Sequence, residues 1–120
     1  MQAKTNDTTT ARGREGEALA ARHLEKCGLR VVDRNYRVRG GEIDLICRDG
    51  CALVFVEVRQ RSSSAFGGAA ASITRQKQAR IILAARHYLA GKADCDCRFD
   101  CVLIDGSTLT WIRDAFAADD

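Results

Sequence analysis

The sequence predicts an α/β fold in which one mixed central sheet of about five strands is flanked by helices, in the order helix, three strands, helix, two strands. Three observations point there. Apolar residues recur at helical spacing in two separated stretches. Short apolar runs rich in Val, Ile and Phe fill the space between and after them. The dipeptides Asp49-Gly50 and Asp105-Gly106 mark tight turns between such runs. A chain of 120 residues, 46% hydrophobic and 29% charged, has room for one domain with a single core.

Residues 1–11 are polar, Thr-rich and without periodicity, and read as a disordered lead-in. They lack the apolar stretch of a signal peptide, and no other run approaches membrane-spanning length, so a cytoplasmic protein with six reduced cysteines is expected. The single domain spans 12–113. Its first helix runs from Arg12 to Cys27 on the stripe Ala20, Ala21, Leu24 and Cys27, with Gly28 as its stop; Glu17 falls on the same stripe. Leu29 to Val38 reads as a strand with Val31 and Val32 buried, and Gly40-Gly41 turns it into the next pair of runs, Ile43 to Cys47 and Leu53 to Val58. Gln60 to Ser72 is a long Ser/Gly/Ala loop containing Phe66-Gly67-Gly68. Thr74 caps a second helix reaching Ala90, whose apolar stripe holds Ile81, Ile82, Ala85, Tyr88 and Leu89. Phe99 to Ile104 is a buried strand, Thr108 to Ile112 an edge strand, and 114–120 an acidic tail.

Charge is divided along the chain. Residues 1–92 hold 17 Lys/Arg against 9 Asp/Glu, and residues 93–120 hold 2 against 7. A basic field around acidic groups suits a polyanion, although an arginine-rich solvated surface has the same composition. Cys95, Cys97 and Cys101 depart from usual zinc spacings, and His23 and His87 are isolated in sequence, so no zinc site is read here.

Two carboxylates interrupt the apolar runs of the expected hairpin. An Asp49-Gly50 turn sets Asp44 opposite Phe55, one diagonal step from Glu57; a Gly50-Cys51 turn sets Asp44 opposite Glu57 itself. Both registers put the two carboxylates on one face. Partly buried carboxylates at that spacing repel, so one takes a proton or a cation sits between them, and Mg²⁺ with retained waters (or Mn²⁺) suits such oxygen ligands. Lys77 lies on the inward stripe in the first turn of the second helix, against the helix dipole, which calls for an anion nearby; a lysine snorkelling to water fits the position as well.

Asp44, then Glu57-x-Arg59 on an adjacent strand, resembles the metal-binding core of restriction-endonuclease-like nucleases. More closely, Gly13-x-x-Gly16-Glu17, GEIDLI from Gly41, FVEVR from Phe55, Phe66-Gly67 and Arg98-Phe99-Asp100 resemble the YraN family of small bacterial proteins, from about Gly13 to Ile104. The resemblance implies a restriction-endonuclease-like three-layer core and a metal-dependent, nuclease-like protein. Asp44, Glu57 and the main-chain carbonyl of Val58 would hold Mg²⁺ or Mn²⁺. Glu17 or Glu42 would orient the attacking water, and Arg59 would hold the scissile phosphate. Arg14, Arg39, Arg61, Arg75 and Lys77 are the candidate nucleic-acid contacts, with DNA, branched or single-stranded, the expected partner.

Arg59 departs from the lysine common at this place. Its pKa above ~12 bars it from general-base work, which leaves phosphate binding intact and hydrolysis open. The alternatives are a non-catalytic nucleic-acid-binding domain on the same core and an assembly module that forms a homodimer through a sheet edge.

Overall fold

Each apolar run becomes a strand and each helical stripe a helix in the computed structural model of the protein, which describes residues 7–61 and 73–118. The elements are α1 (Asp7–Lys26), β1 (Arg30–Val38), β2 (Gly41–Asp49), β3 (Ala52–Arg61), α2 (Arg75–Leu89), β4 (Cys97–Asp105) and β5 (Thr108–Phe116). The five strands form one sheet in sequence order. All neighbours are antiparallel except β3 and β4, which run parallel because α2 carries the chain between them. The sheet is therefore mixed, and the fold is the α/β class expected. Among the described residues no helix is long and apolar enough to cross a membrane.

The strands are covered on both faces, which is why β2, β3 and β4 read as continuous apolar runs. Ala20, Ala21 and Leu24 of α1 pack on Leu45, Cys47, Val54, Val56 and Val102. On the other face Ile81, Ala84 and Ala85 of α2 pack on Ile43, Ile46, Leu53, Phe55 and Phe99. Thr74 caps α2 by accepting from the Lys77 N–H at 3.1 Å, and Gly91 follows the helix at φ +78.

Three expectations need correction. α1 begins at Asp7, so the helix takes in part of the polar lead-in; once the apolar turns are docked, adding residues to a helix costs little. Residues 1–6 lie outside the described residues, as do Phe66, Gly67 and Gly68. The segment read as the start of an acidic tail, Asp114 to Phe116, belongs to β5. Its backbone N–H at Asp114 donates to the buried Asp100 carboxylate (2.9 Å), and Phe116 stacks on Phe99 at 5.0 Å. Val32 is exposed and Val31 only half-buried, because β1 is an edge strand whose register shifts between Val31 and Asp33.

Gly41 shows how closely α2 approaches β2. A Cβ there would collide with the Arg80 carbonyl and press on Ala84. Gly41→Ala is expected to lower stability by about 1–3 kcal/mol, measured by urea unfolding, with the helix forced off the sheet as the cause.

Candidate functional site

The β2–β3 hairpin settles the geometry of the acid pair. Its turn is Gly50-Cys51, with Gly50 at φ +64, and the register Leu45↔Val56, Ile46↔Phe55 continues to set Asp44 opposite Glu57. The Val58 N–H donates to Asp44 Oδ2 at 2.9 Å, which fixes that carboxylate on the end of the hairpin away from the turn. β2 also loses its alternation here. Ile43 packs on the α2 side and Leu45, two residues on, packs on the α1 side, so Asp44 stands where the strand turns its faces over. On β1, Asn35 takes φ +50 at the position facing Asp44, between the pairs Arg34↔Leu45 and Tyr36↔Ile43. Asparagine tolerates this left-handed conformation better than most side chains, and such residues cluster at sites that need a particular backbone shape.

These residues floor a cleft of about 430 Å³ lined by Gly13, Gly16 and Glu17 of α1, Asn35 and Arg37 of β1, Glu42 and Asp44 of β2, Glu57 to Gln60 of β3, and Lys77 of α2. Both helices thus deliver residues to one end of the sheet. Arg14 lines the adjoining space beside Glu17 and Arg37. Arg59 is half-buried with Nη1 3.4 Å from Glu57 Oε2. Arg39 and Arg75 are exposed and do not line the cleft, and the Arg61 side chain lies outside the described residues.

Electrostatics follow from burial. Glu57 is 5% exposed, and desolvation, the Asp44 charge and a hydrogen bond to Asp44 together push its pKa up to about 8, against the opposing pull of Lys77 and Arg59. Near neutrality Glu57 donates its carboxyl proton to Asp44. Burial also raises Asp44, opposed by the Val58 N–H. Glu17 is raised by burial and by Asp44, while a hydrogen bond from Asn35 and the charge of Arg37 favour its ionised form. The proton shared by Asp44 and Glu57 marks the place where a cation can substitute.

The raised Glu57 pKa makes stability pH-dependent with a definite sign. Folded Glu57 keeps its proton up to about 8, whereas in the unfolded chain it loses it near the model value of 4.5. The folded state therefore binds the extra proton between these values, and stability is highest at the acid end of the window, falls as pH rises through it, and levels above. Glu57→Gln is expected to flatten this slope and to raise the melting midpoint at pH ~9 by about 5 °C in thermal scans.

Three cleft residues escape the sequence reading: Asn35, Arg37 and Gln60. Asparagine in a strand is the one sequence feature that marks a special backbone position. Gln60 Oε1 is buried without a hydrogen-bond partner and packs where a Cβ on Gly16 would stand, so the small residue of the Gly-x-x-Gly-Glu pattern lets α1 settle over β3. Among the described residues no group of three or more His, Cys, Asp or Glu side chains could hold a metal. Cys101 is buried within β4 with its thiol pushed up to about 12 by burial, while Cys95 and Cys97 are exposed.

A family model described as "Uncharacterised protein family UPF0102" matches residues 16–104. The chain is similar to a UPF0102 protein of Dechloromonas aromatica (strain RCB), 76% identical over 120 residues that cover 100% of both chains. It is similar also to a UPF0102 protein of Cupriavidus taiwanensis, 58% identical over 112 residues that cover 91% of this chain and 85% of the relative. A third relative, from Aeromonas hydrophila, is 54% identical over 110 residues, covering 88% and 85%. With a model matched over most of its length and such relatives covering nearly all of it, the chain belongs to the UPF0102 family, which is the YraN family its motifs resemble.

Proposed function

We propose that the cleft is a divalent-cation site that engages nucleic-acid phosphodiesters, in a nuclease-like protein that uses Mg²⁺ or Mn²⁺ and acts on DNA, branched or single-stranded. The observation that supports this reading most is the facing pair of buried carboxylates, Asp44 and Glu57, held at the floor of a cleft between two helices. The residues present fit a hard cation. Two carboxylates at bonding distance of one proton, one of them anchored by the Val58 N–H, form an oxygen donor set that lacks only a cation to neutralise it. Asp44, Glu57 and the Val58 carbonyl would hold it, with water completing the shell. When bound, the cation supplies Lewis-acid polarisation of a phosphoryl oxygen and a lowered pKa for water.

The chain's own residues do the rest. Glu17, half-buried beside Asp44 and kept ionised by Asn35, accepts the proton of the attacking water. Arg59 holds the scissile phosphate through its planar fork, and Arg14, Arg37 and Lys77 offer positive charge to the flanking phosphates. The test is a cleavage and binding screen over branched, single-stranded and duplex DNA and over RNA, with Mg²⁺ and Mn²⁺. Cleavage by the wild type that Asp44→Asn abolishes supports the reading.

Arg59 favours a second reading, a nucleic-acid-binding domain that cleaves nothing. It sits 3.4 Å from Glu57, at a place where a lysine could release a proton and an arginine cannot. Arg59→Lys is expected to raise metal-dependent cleavage while leaving affinity within a few-fold. Arg59→Ala is expected to weaken binding and reduce the salt slope by about one phosphate contact. Binding without cleavage in both the wild type and a folded Arg59→Lys protein would establish the second reading.

A further inference from the structure

His23 and Cys27 are isolated residues in the sequence, yet they stand four residues apart at the end of α1, where side chains at this spacing lie on one face. Cys27 Sγ is 3.8 Å from His23 Nε2. A zinc ion with Zn–S near 2.3 Å and Zn–N near 2.05 Å in tetrahedral array separates its sulfur and nitrogen ligands by about 3.6 Å. The pair already stands at close to that edge length.

Two features prepare it further. The His23 ring meets Trp111 edge-on at 6.2 Å and 86°, and Trp111 is itself fixed, its Nε1 donating to Asp100 Oδ2 at 2.9 Å while the Arg113 guanidinium lies over its ring. The imidazole is thus braced before a ligand arrives, which reduces the ordering cost of binding. Cys27 also follows the last residue of α1, where the helix carbonyls present partial negative charge to a cation. Arg22 and Lys26 of the same helix oppose a dication and Glu25 favours it.

We propose that His23 and Cys27 form a clamp for a thiophilic divalent cation of the zinc class, separate from the carboxylate cleft and different from it in ligand chemistry. His23 binds through Nε2, and Cys27 binds as the thiolate after giving its proton to solvent. Among the described residues no third His, Cys, Asp or Glu completes the set, so two tetrahedral positions are open. A second copy of the chain carrying the same pair would fill them as Cys₂His₂, through an isologous contact at α1.

The test uses Co²⁺ as a spectroscopic stand-in for zinc on the intact chain. Saturable growth of a thiolate-to-cobalt charge-transfer band, reversed by Zn²⁺, is expected in the wild type. Loss of the band in both His23→Ala and Cys27→Ser, each folded by far-ultraviolet circular dichroism, is required. Exposed Cys51, Cys95 and Cys97 are rival thiols, so the Cys51→Ser/Cys95→Ser/Cys97→Ser protein must keep the band. Asp44→Asn must keep it too, since the cleft offers oxygen ligands. One cobalt per chain or one per two chains both uphold the clamp, and the ratio tells whether a second copy closes it. No saturable band in the wild type, or a band that survives His23→Ala or disappears with the three serines, overturns the proposal.

Discussion

Asp100→Ala is expected to cost about 3–5 kcal/mol and to lower the melting midpoint by more than about 10 °C, the largest stability loss of any single substitution considered for this chain. Asp100 is fully buried on β4, and its two carboxylate oxygens accept from Arg98 Nε (3.0 and 3.2 Å), Trp111 Nε1 (2.9 Å) and the Asp114 N–H (2.9 Å). Arg98 in turn reaches Asp49 at 3.1 Å, at the turn end of the hairpin that carries the acid pair. Truncating the aspartate leaves a guanidinium, an indole N–H and a backbone N–H without their acceptor at once, and each orphaned donor keeps its desolvation cost. Arg98 already has one buried amino group, Nη2, without a partner. Asp100→Asn keeps one acceptor oxygen and the volume, so a loss about half as large separates the charge from the hydrogen bonds. Equilibrium urea unfolding of both variants gives the comparison, and equal losses would assign the effect to the ionised charge.

This clasp illustrates what a single sequence withholds. Arg98-Phe99-Asp100 is visible as a motif, but its partners Asp49, Trp111 and Asp114 come from other strands and depend on a register that no local pattern fixes. The same holds at the hairpin. That Asp44 and Glu57 share a face is legible because either two-residue turn conserves the parity of both strands. Which turn forms is not, because Asp49-Gly50 has the better turn composition while the pairings Leu45↔Val56 and Ile46↔Phe55 belong to Gly50-Cys51. Long-range packing outweighs local preference here. Glu17 is legible from its place on the α1 stripe, whereas Asn35 needs the knowledge that β1 is an edge strand with a left-handed residue in it. The length of β5 is hidden for the same reason. Nothing in Asp114 to Phe116 reads as a strand until Asp100 and Phe99 are known to lie beneath it. His23 and Cys27 are legible as neighbours only once the helix is drawn.

Asp44→Asn and Glu57→Gln are each expected to weaken Mn²⁺ or Mg²⁺ binding by about 100-fold or more, because each removes one of two charged donors and leaves the other with an uncharged neighbour. The two substitutions differ in pH response. Cation binding to the wild type displaces the proton that Glu57 holds up to about 8, so affinity should climb by up to about tenfold per pH unit below that value and flatten above it. In Glu57→Gln the weak residual affinity should lose this climb, since the displaceable proton is gone. Isothermal titration in two buffers of different ionisation enthalpy reads the proton release directly. A wild type that binds without releasing protons would place the cation away from this pair.

Anomalous diffraction from crystals soaked with Mn²⁺ at pH ~9, where Glu57 is ionised, tests most directly whether Asp44 and Glu57 form a cation site. The expected result is a peak between the two carboxylates within about 2.2 Å of an oxygen from each and within reach of the Val58 carbonyl. Density that leaves the pair bridged by a hydrogen bond, with manganese bound elsewhere or nowhere, would contradict it.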